Sequence, residues 1–336
     1  MKRCIRCVLP DTFPGITFNE DGLCSMCQDF DKGLISEEKV KVPNYTEKIE
    51  KIIAKAKESD CQYHAIVAYS GGKDSTYLLH VLKNIYKLKV LAVTFDNGYI
   101  PASANKNIRK VVDSLNIDHF YVKYNRDVVN RIITNSTLKD MYPMNLIKCG
   151  SGVCISCIRM VNNMVTRIAV EKNIPMIMLG NSPGQLVQTK NEIVFKDNFI
   201  PYMMRKKLYE PLAKCAGDDI YYYMMLTEKE YEKKPFPYTI NLLAAINYDE
   251  SEIYSVISKY GWEKPSDVDP NSTNCCLNSY GILKHKEVYG FHPYENEMSV
   301  LVRLGKLSRE EALRRVEDRE GKVKEISIEV ENELKS

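Results

Sequence analysis

Clustered cysteines are the first feature of this 336-residue chain that could do chemistry. Most of its 11 cysteines lie in close groups: Cys4, Cys7, Cys24, Cys27, Cys154, Cys157, Cys275 and Cys276. An odd number of cysteines, behind a start that is charged rather than apolar, argues against a disulfide framework. We therefore expect the grouped thiols to bind metal or to react.

The first four of these cysteines have the spacing of a zinc site. Two Cys-x-x-Cys pairs separated by 16 residues bring four soft ligands into a tetrahedron: Cys4, Cys7, Cys24 and Cys27. Residues 1–30 are expected to form a small knuckle, because so short a segment hardly folds without its metal. A closed set of four ligands implies a structural role. Free buried thiols are the alternative, and nucleic-acid binding is disfavoured by the few basic residues.

A glycine-rich loop lies between an apolar strand predicted at 65–69 and a predicted helix. It consists of Ser70, Gly71, Gly72, Lys73, Asp74 and Ser75. Backbone N–H groups at such a helix start attract anions, the glycines allow close approach, and Lys73 adds a positive charge. Asp74 is expected to hold Mg²⁺ or to orient the loop. The string matches neither the Walker A loop nor the dinucleotide fingerprint, and an ordinary glycine turn is the alternative.

The chain beyond residue 62 alternates between strand and helix patterns. This alternation predicts an α/β domain over residues 45–195, with a parallel sheet covered by helices. Ligands of such folds bind at the carboxyl ends of the strands, where we expect Gly180 and Asn181. Residues 196–336 are less regular and mostly helical, and we assign them to substrate or partner binding.

Composition narrows the class of protein. Forty-seven basic and 44 acidic residues give a net charge of +3, which neither favours nor excludes nucleic acid. An apolar fraction of 44% is enough for an ordinary buried core. No apolar run approaches the roughly 18 residues that cross a bilayer. We expect a soluble, cytoplasmic protein without membrane contact.

The loop at 70–75 resembles the PP-loop of the ATP pyrophosphatases, which split ATP into AMP and pyrophosphate. The resemblance implies an adenine nucleotide alpha-hydrolase-like fold, with ATP and Mg²⁺ as cofactors. It implies that the loop holds pyrophosphate and that the strand end at Phe95 and Asp96 holds adenosine. Lys73 and Asp74 would then be catalytic, in a reaction that adenylates a substrate oxygen and replaces it with nitrogen or sulfur.

Two further stretches resemble N-acetyl sugar amidotransferases. They are residues 1–27, with Cys7-Val-Leu-Pro-Asp-Thr, and residues 302–312. Those enzymes convert an acetamido group on a bacterial surface sugar into an acetamidino group, using ammonia from a separate glutaminase. The resemblance implies a nucleotide-activated or free sugar as substrate. It also implies a glutaminase partner, because this chain carries no glutaminase signature.

The stretch Cys154-Ile-Ser-Cys157-Ile-Arg159 resembles a different group, the PP-loop tRNA sulfurtransferases. In those enzymes the cysteine pair and one distant cysteine hold a [4Fe–4S] cluster with an open iron. Here this implies Cys275 or Cys276 as the distant ligand, with Cys154 and Cys157 as catalytic residues. The alternatives are a second zinc site that includes Cys149, or simple reduced thiols.

The transferred atom is therefore open at the level of sequence. Amidotransfer ranks first, because the loop and both ends of the chain resemble that family. Thiolation of a small molecule or of tRNA ranks second, with tRNA not favoured. A non-catalytic module that binds zinc and nucleotide is the third hypothesis.

Overall fold

A six-stranded sheet forms the centre of the protein. The computed structural model describes residues 2–34, 42–182, 185, 193–269, 271–272, 274–317 and 321–335. The strands are β1 (Ala65–Ala68), β2 (Val90–Asp96), β3 (Asp118–Lys123), β4 (Met176–Met178), β5 (Val194–Phe195) and β6 (Tyr238–Ile240). Their order is β3-β2-β1-β4-β6-β5, and all neighbours are parallel except β5 and β6. The predicted parallel-sheet α/β class is confirmed.

The strand order reverses direction between β1 and β4. From β1 the chain steps outward to β2 and β3, and then returns to the other side of β1 as β4. Such a reversal opens a crevice outside the carboxyl ends of the two central strands. The sheet also continues past residue 195, where the sequence pattern placed the end of the α/β domain, because β6 lies between β4 and β5.

Helices cover both faces of the sheet and make up most of the C-terminal portion. In chain order they are α1 (Ser25–Asp31), α2 (Val42–Glu58), α3 (Lys73–His80), α4 (Ala102–Leu115), α5 (Arg126–Asn135), α6 (Met144–Ile147), α7 (Gly152–Glu171), α8 (Tyr202–Ala216), α9 (Ile220–Met224), α10 (Glu228–Glu232), α11 (Glu250–Ser258), α12 (Leu277–Tyr289), α13 (Glu295–Arg303), α14 (Arg309–Val316) and α15 (Lys322–Lys335). The helical character predicted for the last third is confirmed.

Successive side chains of β1 point to opposite faces of the sheet, and both faces are covered by helices. Ile66 belongs to the core on the α7 side, with Met164, whereas Val67 belongs to the opposite core, with Leu78 and Ile108. All of these side chains are almost fully buried. A strand buried on both faces reads as a continuous apolar run, which is the pattern seen in its sequence.

Helix α7 is the long core helix of the fold. Among the described ranges it alone is long and apolar enough, by length and composition, to cross a membrane. However, 56% of that apolar window is buried within the protein, and α7 packs on β1 and β4. These contacts are those of a core helix.

The N-terminal knuckle is docked on the C-terminal helices. The guanidinium of Arg309, at the start of α14, donates to the backbone carbonyls of Cys4 and Cys7 at 3.1–3.3 Å. Arg3 pairs at 2.8 Å with Glu295, whose side chain is only 1% exposed. The two ends of the described chain therefore form one packed unit.

Replacing Arg309 by alanine tests this docking. The variant leaves two carbonyls without their charged donor, so we expect the free energy of unfolding to fall by about 1.5–3 kcal/mol in urea titrations. Arg314→Ala is the matched control, because Arg314 pairs with Glu311 on the exposed side of the same helix. That control should change stability by less than about 1 kcal/mol. Equal effects of the two variants would contradict the docking role.

Candidate active site

The glycine-rich loop crosses from β1 to α3 in a conformation that requires glycine. Gly71 has φ +77°, and a Cβ there would lie 2.6 Å from Cγ1 of Ile108. The Ser70 and Ser75 hydroxyls lie 3.2 Å apart, and Ser70 Oγ accepts from the backbone N–H of Gly72 at 3.4 Å. The loop thus closes on itself at the first turn of a helix, as an anion-binding turn does.

The end of β4 packs directly against this loop. A Cβ at Gly180 would lie 3.1 Å from the backbone N and Cα of Ser75, so any larger residue would push on the loop. The next residue, Asn181, donates from its side chain to Asn241 Oδ1 at 2.8 Å. Gly180 therefore lies against the loop, whereas Asn181 contacts the residue that follows β6.

Lys73 is held by acceptors from two parts of the chain. Its ammonium lies 2.8 Å from Asp74 Oδ1, 2.6 Å from the Tyr248 hydroxyl and 3.1 Å from Glu250 Oε1. The Tyr248 hydroxyl in turn donates to Asp74 Oδ1 at 2.6 Å. Burial alone would lower the pKa of Lys73, but its three acceptors raise it above the usual value, so the charged form persists.

The carboxyl group of Glu297 on α13 interacts electrostatically with Lys73 and Asp74 of the same loop. Burial raises the pKa of Glu297 to about 7, and the negative charge of Asp74 adds to the effect while Lys73 opposes it. The surroundings of Lys73 are therefore crowded with acidic groups.

Three cysteines converge near the end of β2. Cys154 and Cys157 lie on the first turns of α7, and Cys275 precedes α12. Asn97, just past β2, donates to Cys275 Sγ at 3.4 Å and also interacts with Cys157. Cys157 interacts electrostatically with both Cys154 and Cys275. Residues that are far apart in sequence thus bring three thiols together, and two of them, those of Cys157 and Cys275, contact the Asn97 amide.

Burial keeps these three thiols in the neutral form. It raises the pKa of Cys154 to about 12. It also raises the pKa of Cys157, with the neighbouring Cys275 and Cys154 adding to the shift, and raises that of Cys275. Without a cation, the thiols stay protonated at neutral pH and are poor nucleophiles.

The other two candidate cysteines point elsewhere. Cys276 Sγ faces the carbonyl of Asp267 at 3.9 Å, and Cys149 Sγ donates to the Asn145 carbonyl at 3.4 Å. The sequence treats Cys275 and Cys276 as equivalent partners of the pair on α7. In the structure, Cys275 is the one that faces that pair.

A polar network that the sequence pattern did not indicate supports the thiols. Cys154 Sγ donates to Asn278 Oδ1 at 3.4 Å, and the Tyr294 hydroxyl donates to the same oxygen at 2.9 Å. Asn278 Nδ2 donates to Asp269, a carboxylate only 1% exposed that also accepts from Ser279. Burial raises the pKa of Asp269, although these hydrogen bonds oppose the shift. Asp269 therefore orients the amide that contacts Cys154.

At the strand end predicted to hold adenosine, Phe95 is buried and Asp96 is partly exposed. The Phe95 side chain is 8% exposed and packs edge-on against Tyr124, with ring centroids 5.1 Å apart. That ring belongs to the core and does not face the crevice as an open stacking surface. Asp96 is partly exposed and accepts from the backbone N–H of Gly98 at 2.8 Å.

The knuckle cysteines meet as the spacing predicts. All four are fully buried, and their sulfur atoms lie within 4.8 Å of one another: Cys4, Cys7, Cys24 and Cys27. The Cys4–Cys27 and Cys7–Cys24 sulfur distances are 3.9 and 3.7 Å. Tetrahedral thiolates about 2.3 Å from a zinc ion lie about 3.8 Å apart, so the spacing fits that metal.

Comparison with known proteins gives relatives of low sequence identity. A family described as of unknown function (DUF7411) matches residues 63–169. The uncharacterized protein MJ1599 of Methanocaldococcus jannaschii is 28% identical over 278 residues, which cover 82% of this chain and 81% of that protein. A probable sulfurtransferase of the same organism is 28% identical over 167 residues, covering 47% of this chain and 48% of that protein.

Two solved structures illustrate the similarity to known folds. The U34-tRNA thiolase NcsA from Methanococcus maripaludis, with its [4Fe-4S] cluster, is 14% identical with a TM-score of 0.39, covering all of this chain and 89% of that one. The NH3-dependent NAD synthetase from Campylobacter jejuni is 16% identical with a TM-score of 0.30, covering 68% and 99%. At such scores, the assignment of the fold rests on the strand order and loop geometry described above.

The knuckle geometry predicts one tightly bound metal ion per chain. Elemental analysis of the purified protein should find about one zinc per chain, counted separately from any iron, and Cys7→Ser should lose this zinc together with much of the folded yield. Cys215→Ser is the control, because Cys215 is exposed and outside the knuckle. A fully folded, metal-free protein would refute this prediction.

Proposed function

We propose that this chain is an ATP-dependent transferase that adenylates a substrate oxygen and replaces it with sulfur. Pyrophosphate leaves in the first step, and AMP leaves in the second. The observation that carries the proposal is the convergence of Cys154, Cys157 and Cys275 beside Asn97. They lie at the sheet edge where the glycine-rich loop begins.

The loop supplies the adenylation half of the reaction. Its backbone N–H groups and Ser70 and Ser75 hydroxyls would bind the pyrophosphate part of ATP. Lys73, which stays charged, would neutralise the phosphate oxygens, and Asp74 would hold the accompanying Mg²⁺. The strand end at Asp96 and the Gly180–Asn181 turn flank this position and are proposed to bind the rest of the nucleotide.

The thiols suit a cluster better than a single ion. Among the described residues, only the knuckle brings its ligand atoms within 4.8 Å of one another, as one ion requires. Three more widely spaced thiolates fit a [4Fe–4S] cluster, which is larger and accepts cysteine ligands. When bound through three cysteines, such a cluster leaves one iron open to carry sulfide. Asn97 and Asn278 would orient the thiolates by hydrogen bonding.

The relatives support sulfur as the transferred atom. One of them is named a probable sulfurtransferase, although it matches only about half of each chain. The acceptor would be a small molecule or tRNA. Zinc in the knuckle would act structurally, because its four ligands leave no open position. We place the protein in the cytoplasm.

Nitrogen transfer is the second candidate, and one observation favours it. The two segments that resemble N-acetyl sugar amidotransferases touch in the folded chain, since Arg309 binds the carbonyls of Cys4 and Cys7. In that case a separate glutaminase would deliver ammonia, and the acceptor would be a nucleotide-activated or free sugar. The third hypothesis, a non-catalytic module, lacks an explanation for the thiols beside the loop.

Anaerobic purification tests the cluster. We expect a brown protein with broad visible absorption and about four irons per chain. Cys275→Ser should bleach it, whereas Cys276→Ser should retain the colour, because only the first thiol faces Cys154 and Cys157. A colourless, iron-free enzyme that is active with ammonia would instead establish nitrogen transfer.

Product analysis tests the adenylation chemistry. With ATP, acceptor and sulfide, the products should be pyrophosphate and AMP, and Lys73→Ala should slow their release by about 100-fold. Lys83→Ala is the control, since Lys83 contacts the Asn116 carbonyl away from the loop. Formation of ADP and phosphate would refute the proposal. Turnover with ammonia but not sulfide would favour the second candidate.

A further inference from the structure

The ammonium group of Lys73 is already surrounded by three oxygen atoms, two of them in hydrogen bonds and the third in an ion pair. A lysine ammonium offers three N–H donors. Three oxygens already lie within 3.1 Å of it, those of Asp74, Tyr248 and Glu250. A nucleotide that uses Lys73 must therefore displace one of these acceptors.

Glu250 is the acceptor that can be exchanged at the lowest cost. Its side chain is 44% exposed, against 23% for Asp74. Ion pairs with such an exposed partner contribute little to stability. Tyr248 is tied to the loop twice, because its hydroxyl contacts both Lys73 and Asp74 at 2.6 Å. Asp74 is the next residue in the loop itself.

We infer that the Glu250 carboxylate occupies the position of a nucleotide phosphate and makes the site select metal-bound phosphates over free ones. The inference rests on the proposed function, because it assigns phosphate to Lys73. A phosphate without bound metal must displace the Glu250 carboxylate from Lys73 and then lie close to the carboxylates of Glu250 and Asp74. A magnesium-bound phosphate brings its own positive charge, so the displaced Glu250 and Asp74 meet a cation instead of an anion. Glu250 is thus a specificity-determining residue.

The same segment of chain carries a natural reporter for this exchange. Trp262, the single tryptophan of the protein, donates from its indole N–H to the Gly71 carbonyl at 2.8 Å. Its ring lies 5.8 Å from that of Tyr254, on the helix that begins at Glu250. Ligand entry at the loop should therefore alter the fluorescence of Trp262.

The experiment compares pyrophosphate binding with and without Mg²⁺ in the full chain. Titrations followed by calorimetry and by Trp262 fluorescence would use wild type, Glu250→Gln and the control Glu252→Gln, which alters an exposed residue of the same helix. Buffers would be freed of divalent ions by resin, so that the knuckle keeps its metal. We expect Glu250→Gln to lower the Kd for metal-free pyrophosphate by about tenfold and to narrow the preference for the magnesium complex. Glu252→Gln should match wild type.

The outcomes separate this inference from the proposed function. If wild type binds magnesium pyrophosphate but Glu250→Gln binds the metal-free form no more tightly, the specificity role is wrong and the proposed function stands. If wild type binds neither magnesium pyrophosphate nor ATP, the proposed function fails and the inference fails with it. Glu250→Ala, checked for folding by circular dichroism, should reproduce the effect of Glu250→Gln.

Discussion

Parallel pairing of β1 with both β2 and β4 is the constraint on which the rest of the structure depends. Because three adjacent strands run the same way, the segments that follow them emerge at one edge of the sheet. The glycine-rich loop follows β1, Asn97 follows β2, and Gly180 follows β4. The glycine-rich loop, Asn97 and Gly180 therefore lie along one edge of the sheet.

The C-terminal helices complete this edge from outside. Cys275 and Asn278 come from the start of α12, and Tyr294 precedes α13, so the polar surroundings of Cys154 are supplied almost entirely by late parts of the chain. Tyr248 and Glu250 reach the other side of the crevice in the same manner. The sheet positions the glycine-rich loop and Asn97, while α7 and the helical portion supply the thiols and the polar groups around them.

The parts of the site that could be predicted from the sequence are those whose functional residues lie close together in the chain. The glycine loop and the paired knuckle cysteines are local patterns, and both form as expected. Asp269, Tyr248 and Glu250 carry no such pattern, because their roles arise from contacts with residues far away in sequence. The choice between Cys275 and Cys276 depends on the direction of one turn before α12, which adjacent identical residues cannot reveal. The short strand β6 was missed for a related reason, since its place in the sheet is set by long-range pairing.

The contact between Arg309 and the knuckle has a consequence for the biosynthesis of the chain. The guanidinium binds backbone carbonyls and not side chains, so it recognises the path of the polypeptide around Cys4 and Cys7. On the ribosome, the knuckle emerges long before Arg309 is synthesised. During that interval the knuckle lacks the contacts that α13 and α14 supply. The N-terminal segment therefore reaches its final anchorage only after nearly the whole chain has been made.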